Sequence, residues 1–168
     1  SLVKVPVSVS QEGYRIDPAT GECSIIIEET PKYKMTSYAS TRAKEGETQI
    51  GDSYSFNKNI DGTYLTIISD GMGSGPEASS ESKLAVDLIE KFMESGFNYK
   101  TAIDTVNSIM AMKFNEDEKF TTMDLNLIDL YTGESEFIKI GGVVSFIKRG
   151  AKIFAIKSNS LPFGILES

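Results

Sequence analysis

The order of elements predicts an α+β protein in which helices pack on antiparallel sheet. Three observations carry this. Strand-like runs separated by turn signals occupy residues 24 to 69, two amphipathic helical segments follow between 76 and 112, and from Thr121 the hydrophobic period switches to two.

Residues 1–21, punctuated by Pro6, Gly13, Pro18 and Gly21, read as loosely structured, leaving 22–168 as the folded unit. Ser24 to Glu29 and Tyr33 to Thr41 read as two strands split by Thr30-Pro31, and Lys44 to Thr48 as a polar loop. A hairpin follows, with strands of about 52–58 and 63–69 joined through Asn59-Ile60-Asp61-Gly62-Thr63. Pro76 to Ser95 reads as a helix: Leu84, Ala85, Leu88, Ile89, Phe92 and Met93 share one face, and Gly96 is a natural stop. A second helix, about Tyr99 to Met112, carries Ala102, Ile103, Val106, Ile109 and Met110 on its apolar face, with Asn98 or Thr101 as cap. Met110 and Met112 read as core. Met123, Leu125 and Leu127 then alternate with Asp124 and Asn126. Tyr131-Thr132-Gly133-Glu134 is a turn, Glu136 to Ile140 the return strand, and residues 143–148 and 152–157 a last hairpin.

Composition excludes several classes. At 168 residues the chain has the size of one domain with a real core. No run approaches the ~20 apolar residues that cross a bilayer, and no signal-peptide pattern opens it, so a cytoplasmic location is expected, with the parent protein free to be membrane-tethered. Ser1 in place of an initiator methionine reads as an excised segment of something longer. The net charge of −7 opposes nonspecific nucleic-acid binding. The single Cys23 permits no intrachain disulfide and, beside Ser24-Ile25-Ile26-Ile27, reads as a buried structural thiol. With no histidine, Ser–His–Asp and Cys–His catalysis and the usual zinc sites are excluded. Any hydrolysis must lean on carboxylates and a metal.

Asn-x-Asp-Gly-Thr between strand-like runs marks a type I turn followed by a left-handed glycine. If Ile60, Asp61 and Gly62 form a three-residue loop, Asp52 sits opposite Asp70 on one sheet face. A two-residue Asp61-Gly62 loop would instead place Asp52 opposite Gly71 and separate the two acids. In the first register the carboxylates raise each other's pKa unless a cation lies between them, and hard divalent ions such as Mg²⁺ or Mn²⁺ suit such oxygen donors. Gly71, Gly73 and Gly75 let backbone groups approach an ion or phosphate, and Pro76 opens a helix whose N-terminus favours anions.

Gly51-Asp52-Ser53-Tyr54-Ser55-Phe56, Ser69-Asp70-Gly71-Met72-Gly73-Ser74-Gly75, Phe120-Thr121-Thr122-Met123-Asp124 and Leu161-Pro162-Phe163-Gly164, in this order, resemble the PPM-type metal-dependent serine/threonine phosphatases, and most strongly a sporulation member of that family. The likeness spans about residues 22–166. It implies an antiparallel β-sandwich flanked by helices, with two Mn²⁺ or Mg²⁺ ions at one end. Asp70 would bridge both ions, Gly71 would offer a backbone carbonyl, and Asp52 would bind directly or through water. These ions would turn a bridging water into the nucleophile, hydrolysing phosphoserine in line without a covalent intermediate. The implied substrate is a phosphorylated anti-anti-sigma factor. The two helices resemble a regulatory pair able to reshape the metal site, although amphipathic helices covering a sheet explain the pattern equally.

Asp124 lies in a matching motif, either as a metal ligand or as an acid meeting the helix layer through hydrogen bonds. No basic residue matches the phosphate-clamping arginine of some relatives; Lys32, Lys34, Arg42 and Lys44 are candidates by charge alone. Relatives continue beyond Leu161-Pro162-Phe163-Gly164 with strands, a Thr-Asp-Gly segment and a last Asp, so the expectation is a domain lacking part of its metal shell. Its uncovered edge would favour homodimerisation. Two other readings stand beside this one. A non-catalytic regulatory module would keep only a residual metal site. A nucleotide-binding loop at Gly71 to Gly75 is disfavoured, because no Gly-Lys-Ser/Thr follows.

Overall fold

The computed structural model describes residues 4–43, 45–46, 50–59, 61–73, 75–114 and 120–163. The central element is an antiparallel four-stranded sheet of order β3-β4-β5-β6, with β3 at Asp52–Lys58, β4 at Thr63–Gly71, β5 at Thr121–Asp129 and β6 at Ser135–Ile140. Helices α1 (Pro76–Glu94) and α2 (Tyr99–Phe114) form the connection from β4 to β5. Two further hairpins complete the fold: β1 (Val7–Ile16) with β2 (Cys23–Glu29), and β7 (Ser145–Arg149) with β8 (Lys152–Ile156). This is the α+β arrangement of antiparallel sheets and two helices that the element order predicts.

Alternation along β4 and β5 decides where the core lies. Leu65 and Ile67 of β4 and Met123 and Leu125 of β5 point to one face and are buried against Ala85, Val86 and Ile89 of α1 and Ala102, Val106 and Met110 of α2. Phe163, beyond the last hairpin, joins the same cluster and is fully buried. The opposite face carries the even-numbered residues, among them Tyr54, Ile68 and Asp70, which are exposed.

The α1 boundaries match the expectation, but its buried stripe is rotated toward the polar side. Ala78, Glu81, Ser82, Ala85, Val86 and Ile89 are buried, whereas Leu84, Leu88, Phe92 and Met93 are only partly covered. The reason is the edge strand beneath. β3 turns Ser53, Ser55 and Asn57 toward the helix, where Ser53 and Ser82 hydroxyls meet at 2.8 Å, Ser55 donates to Glu90, and Asn57 donates to Glu94 at 3.2 Å. A buried serine needs such a partner. In α2, Asn98 is the cap, accepting the Thr101 N–H at 2.9 Å.

Four expectations are corrected. Within the N-terminal 21 residues, 7–16 form β1 rather than a loose segment; Val7 and Val9 find cross-strand partners in Glu29 and Ile27, with a register shift before Tyr14. Tyr33 to Thr41 is not a strand: it runs beside the main sheet, held where Tyr33 N–H donates to Leu130 O at 2.9 Å and Tyr64 Oη donates to Ser37 Oγ at 3.1 Å. Cys23 is exposed, because the β1–β2 ribbon is open on both faces. Met112 is exposed too, one residue past the α2 stripe that buries Met110. Within the expected polar loop, Lys44, Glu47 and Thr48 lie outside the described residues.

Candidate metal centre

The β3–β4 turn sets the site. Asn59 donates its N–H to Thr63 O at 2.8 Å, Gly62 donates to Asn59 O at 3.1 Å, and Asp61 Oδ1 accepts the Thr63 N–H at 2.8 Å. Gly62 has φ 84°, and a Cβ there would lie 2.9 Å from Cδ2 of Tyr131, so the turn requires glycine on both counts. This is the three-residue loop, and it fixes Asp52 opposite Asp70, with Tyr54 opposite Ile68. The two-residue alternative is excluded by that register.

Asp52 and Asp70 are exposed on the sheet face opposite the helices and face each other directly across β3 and β4. Desolvation first, then the charge and hydrogen bond of Asp52, push the Asp70 carboxyl above the usual carboxylate range. Two facing carboxyl groups repel when both are charged, and among the described residues no cation pairs with them. A divalent cation between them would relieve that repulsion, which is how these donors fit a hard ion. The fit is to part of a shell. Among the described residues no third acid, cysteine or histidine joins the pair.

The raised Asp70 pKa has a signed consequence. The folded, metal-free protein holds the Asp70 proton to higher pH than the unfolded chain does, so stability from this group is lost as pH rises from the ordinary carboxylate pKa through the folded one. Asp70→Asn removes that penalty. The metal-free variant will therefore melt above wild type at pH 7, with the gap closing as pH falls toward 3.8. Thermal denaturation in chelator across pH 3–7 checks it, and an Asn variant that melts below wild type throughout would contradict it.

Gly71 also answers a packing requirement. An added Cβ would stand 2.9 Å from the Ala78 carbonyl carbon and closer still to its oxygen. The missing side chain lets the first turns of α1 sit directly on the strand end that carries Asp70. The Gly71 N–H donates to Gly51 O at 3.2 Å, and the Met72 N–H to Phe120 O at 3.1 Å. Gly73 and Gly75 take φ near 90°, turning the chain into α1, whose N-cap Gly75 offers no side-chain hydrogen bond.

Asp124 does not join this pair among the described residues, and its partners lie away from the helix layer. It lies on the outer face, forms an ion pair with Lys139, its cross-strand partner on β6, and accepts from Ser145 Oγ at 3.1 Å. Its charge is already neutralised. Lys139 is the basic residue that sequence reasoning missed. The available signal was its place in the alternating run Glu136-Phe137-Ile138-Lys139-Ile140, which needs the β5–β6 register to become meaningful. Lys83 was missed as well; with Asp52 and Tyr54 it lines a groove of about 330 Å³ between β3 and α1. Of the basic candidates named by charge, Lys32 lies over the Tyr33 ring at 5.4 Å, Arg42 is exposed, and Lys44 is outside the described residues.

Comparison with known proteins identifies the family and the fold. A family model described as stage II sporulation protein E (SpoIIE) matches residues 60–168. The stage II sporulation protein E of Bacillus subtilis (strain 168) is 39% identical over 165 residues, covering 98% of this chain and 20% of that protein. Its counterpart in Priestia megaterium is 40% identical over 147 residues, covering 88% of this chain and 25% of that protein. This chain thus spans a fifth to a quarter of the length of these curated relatives. Among solved structures, the PP2C phosphatase domain with a fragment of the regulatory domain of the cell fate determinant SpoIIE from Bacillus subtilis matches with TM-score 0.82 at 35% identity, over 99% of this chain and 49% of that one. RsbX in complex with magnesium shares the fold at TM-score 0.61 and 20% identity, over 76% of this chain and 61% of that one.

Proposed function

Because the chain belongs to the stage II sporulation protein E (SpoIIE) family, we propose that residues 22–168 are part of a metal-dependent protein serine phosphatase domain of the PPM (PP2C) type. The observation that supports the reading is the Asp52–Asp70 pair, set face to face by the hairpin register and without a counterion among the described residues. Asp70 and Asp52 would hold Mn²⁺ or Mg²⁺, with the Gly71 carbonyl as a neighbouring donor. When bound, such ions supply Lewis acidity that activates water for in-line attack on phosphorus and offsets the charge of the phosphate oxygens. The chain's own contribution is to hold both carboxylates in register and to present them on an exposed sheet face that a protein substrate can reach. With no histidine in the chain, no Ser–His or Cys–His relay competes with this route.

The proposed substrate is a phosphorylated anti-anti-sigma factor, consistent with the sporulation relatives, and the parent protein is proposed to act in the cytoplasm, with homodimerisation through this domain. Among the described residues no helix is long and apolar enough to cross a membrane. The proposed domain boundary at 21/22 falls in the turn of the β1–β2 hairpin, so β1 travels with the domain it precedes.

The test is Mn²⁺-dependent phosphate release from a phosphoserine protein, by this chain and by a form extended to the length of its relatives, each beside Asp70→Asn. Release that falls at least about a hundredfold in the variant is expected, since losing an outer partner of a ligand alone costs ten- to a hundredfold. Mn²⁺ binding without release in either length would point instead to a regulatory module with a residual metal site.

A further inference from the structure

Two of the four motifs that carry the family resemblance, Phe120-Thr121-Thr122-Met123-Asp124 and Leu161-Pro162-Phe163-Gly164, add no acid to the Asp52–Asp70 pair, yet the structure joins Thr121 of the first to Phe163 of the second behind Asp70. Thr121 and Phe163 exchange both backbone hydrogen bonds: Thr121 N–H donates to Phe163 O at 3.1 Å, and Phe163 N–H to Thr121 O at 2.8 Å. Both residues are fully buried. From this fixed backbone the Thr121 hydroxyl donates to the main-chain carbonyl of Asp70 at 2.9 Å. A second buried hydroxyl, Ser69 Oγ, lies 3.1 Å from Thr121 Oγ1 and donates to Thr122 O at 2.9 Å.

We propose that Thr121 is a positioning residue for the metal centre, fixing the main chain at Asp70 from a backbone that Phe163 clamps; the inference rests on the reading of Asp70 as a metal ligand. Asp70 itself is exposed, near the end of β4, so its direction depends on how firmly the main chain beneath it is held. Two hydroxyl protons serve three oxygen contacts here, so the pair is fully committed within the protein and has no surplus donor for solvent or substrate. The arrangement also accounts for a hydroxyl at a site where an apolar side chain would pack equally well: position 121 faces the core side of β5, in line with Met123 and Leu125. A ligand set needs its supporting groups fixed to a fraction of an ångström, and buried hydrogen bonds of this kind supply that.

The experiment uses this chain with Thr121→Val, which keeps the shape and removes the hydroxyl, and Thr121→Ser, which keeps the hydroxyl. Mn²⁺ affinity is read by the electron paramagnetic resonance of free Mn²⁺, with Asp70→Asn as the ligand-loss control and thermal melting in chelator to confirm folding. Expected is a Kd raised about tenfold or more in Thr121→Val, and within about threefold of wild type in Thr121→Ser. Wild-type affinity in a folded Thr121→Val overturns the proposal, as does equal weakening by both substitutions, which would mean packing rather than the hydroxyl. If Thr121→Val does not fold, the serine variant decides alone: weakening of tenfold or more there overturns the proposal, and near-wild-type affinity supports it. Wild type binding Mn²⁺ no better than Asp70→Asn overturns the metal reading itself, and this inference with it.

Discussion

Lys139→Met will destabilise the protein by about 3 kcal/mol, the scale set by breaking one side of a buried ion pair. The side chain of Lys139 is 4% exposed and that of Asp124 is 20% exposed, so the charge left behind has little access to water. Ser145 Oγ, which contacts both Lys139 and Asp124, can neutralise neither. Asp124 Oδ1 is buried and, among the described residues, has no hydrogen-bond partner even with Lys139 in place. The large cost of a broken pair does not imply that the intact pair stabilises the fold. The double variant Lys139→Met/Asp124→Leu should recover most of the loss, because matched apolar residues often replace a buried pair at no net cost. Urea unfolding of the four members of the cycle measures the coupling directly. Single variants within about 0.5 kcal/mol of wild type would show that water reaches the pair freely.

Gly71→Ala will be comparably severe, about 3 kcal/mol, for a steric reason. The added methyl would enter the space of the Ala78 carbonyl, a backbone group in the first turn of α1 that cannot rotate away. Overpacking of this kind costs typically 1–3 kcal/mol. Here the upper end is expected, because helix and strand backbones must separate. The same displacement moves Asp70, so Mn²⁺ affinity should fall along with stability. Gly73→Ala is the informative contrast. Gly73 has φ 89° and nothing within 4 Å of the added atom, so only backbone strain of about 1–2 kcal/mol is expected. Chemical denaturation of the two variants side by side should therefore rank Gly71→Ala well below Gly73→Ala. Equal losses would assign the requirement at position 71 to conformation rather than contact.

Much of the candidate site is legible in the residues themselves. Asn59, Asp61, Gly62 and Thr63 specify their turn through hydrogen bonds that span at most four positions, and that turn places Asp52 opposite Asp70. Both helices, the Asn98 cap and the β5–β6 turn are likewise local. There Asp129 Oδ1 accepts the N–H groups of Tyr131 and Thr132 at 2.7 and 3.2 Å, which holds its carboxyl below the usual range. Periodicity and turn chemistry act over a few residues, so the sequence displays them.

What remained hidden depends on partners distant in the chain. Whether Tyr33 to Thr41 forms a strand, and whether residues 7–16 find one, depends on which edge lies alongside. Cys23 is exposed because nothing among the described residues covers its ribbon. Which face of α1 is buried was decided by the serines of β3, and Asp124 is paired with a lysine fifteen residues away that the β5–β6 register brings beside it. Thr121 reaches the Asp70 carbonyl across fifty-one residues. By itself the sequence determined both helices, the strands from β3 onward and the α+β class, and narrowed the Asp52 register to two choices, because short-range sterics and hydrogen bonds fix a turn and a turn fixes a register. Only the tertiary structure decided which charges are already neutralised, which polar groups are buried, and what holds the acids in place, because burial and pairing belong to the neighbour across the sheet rather than to the neighbour in the chain.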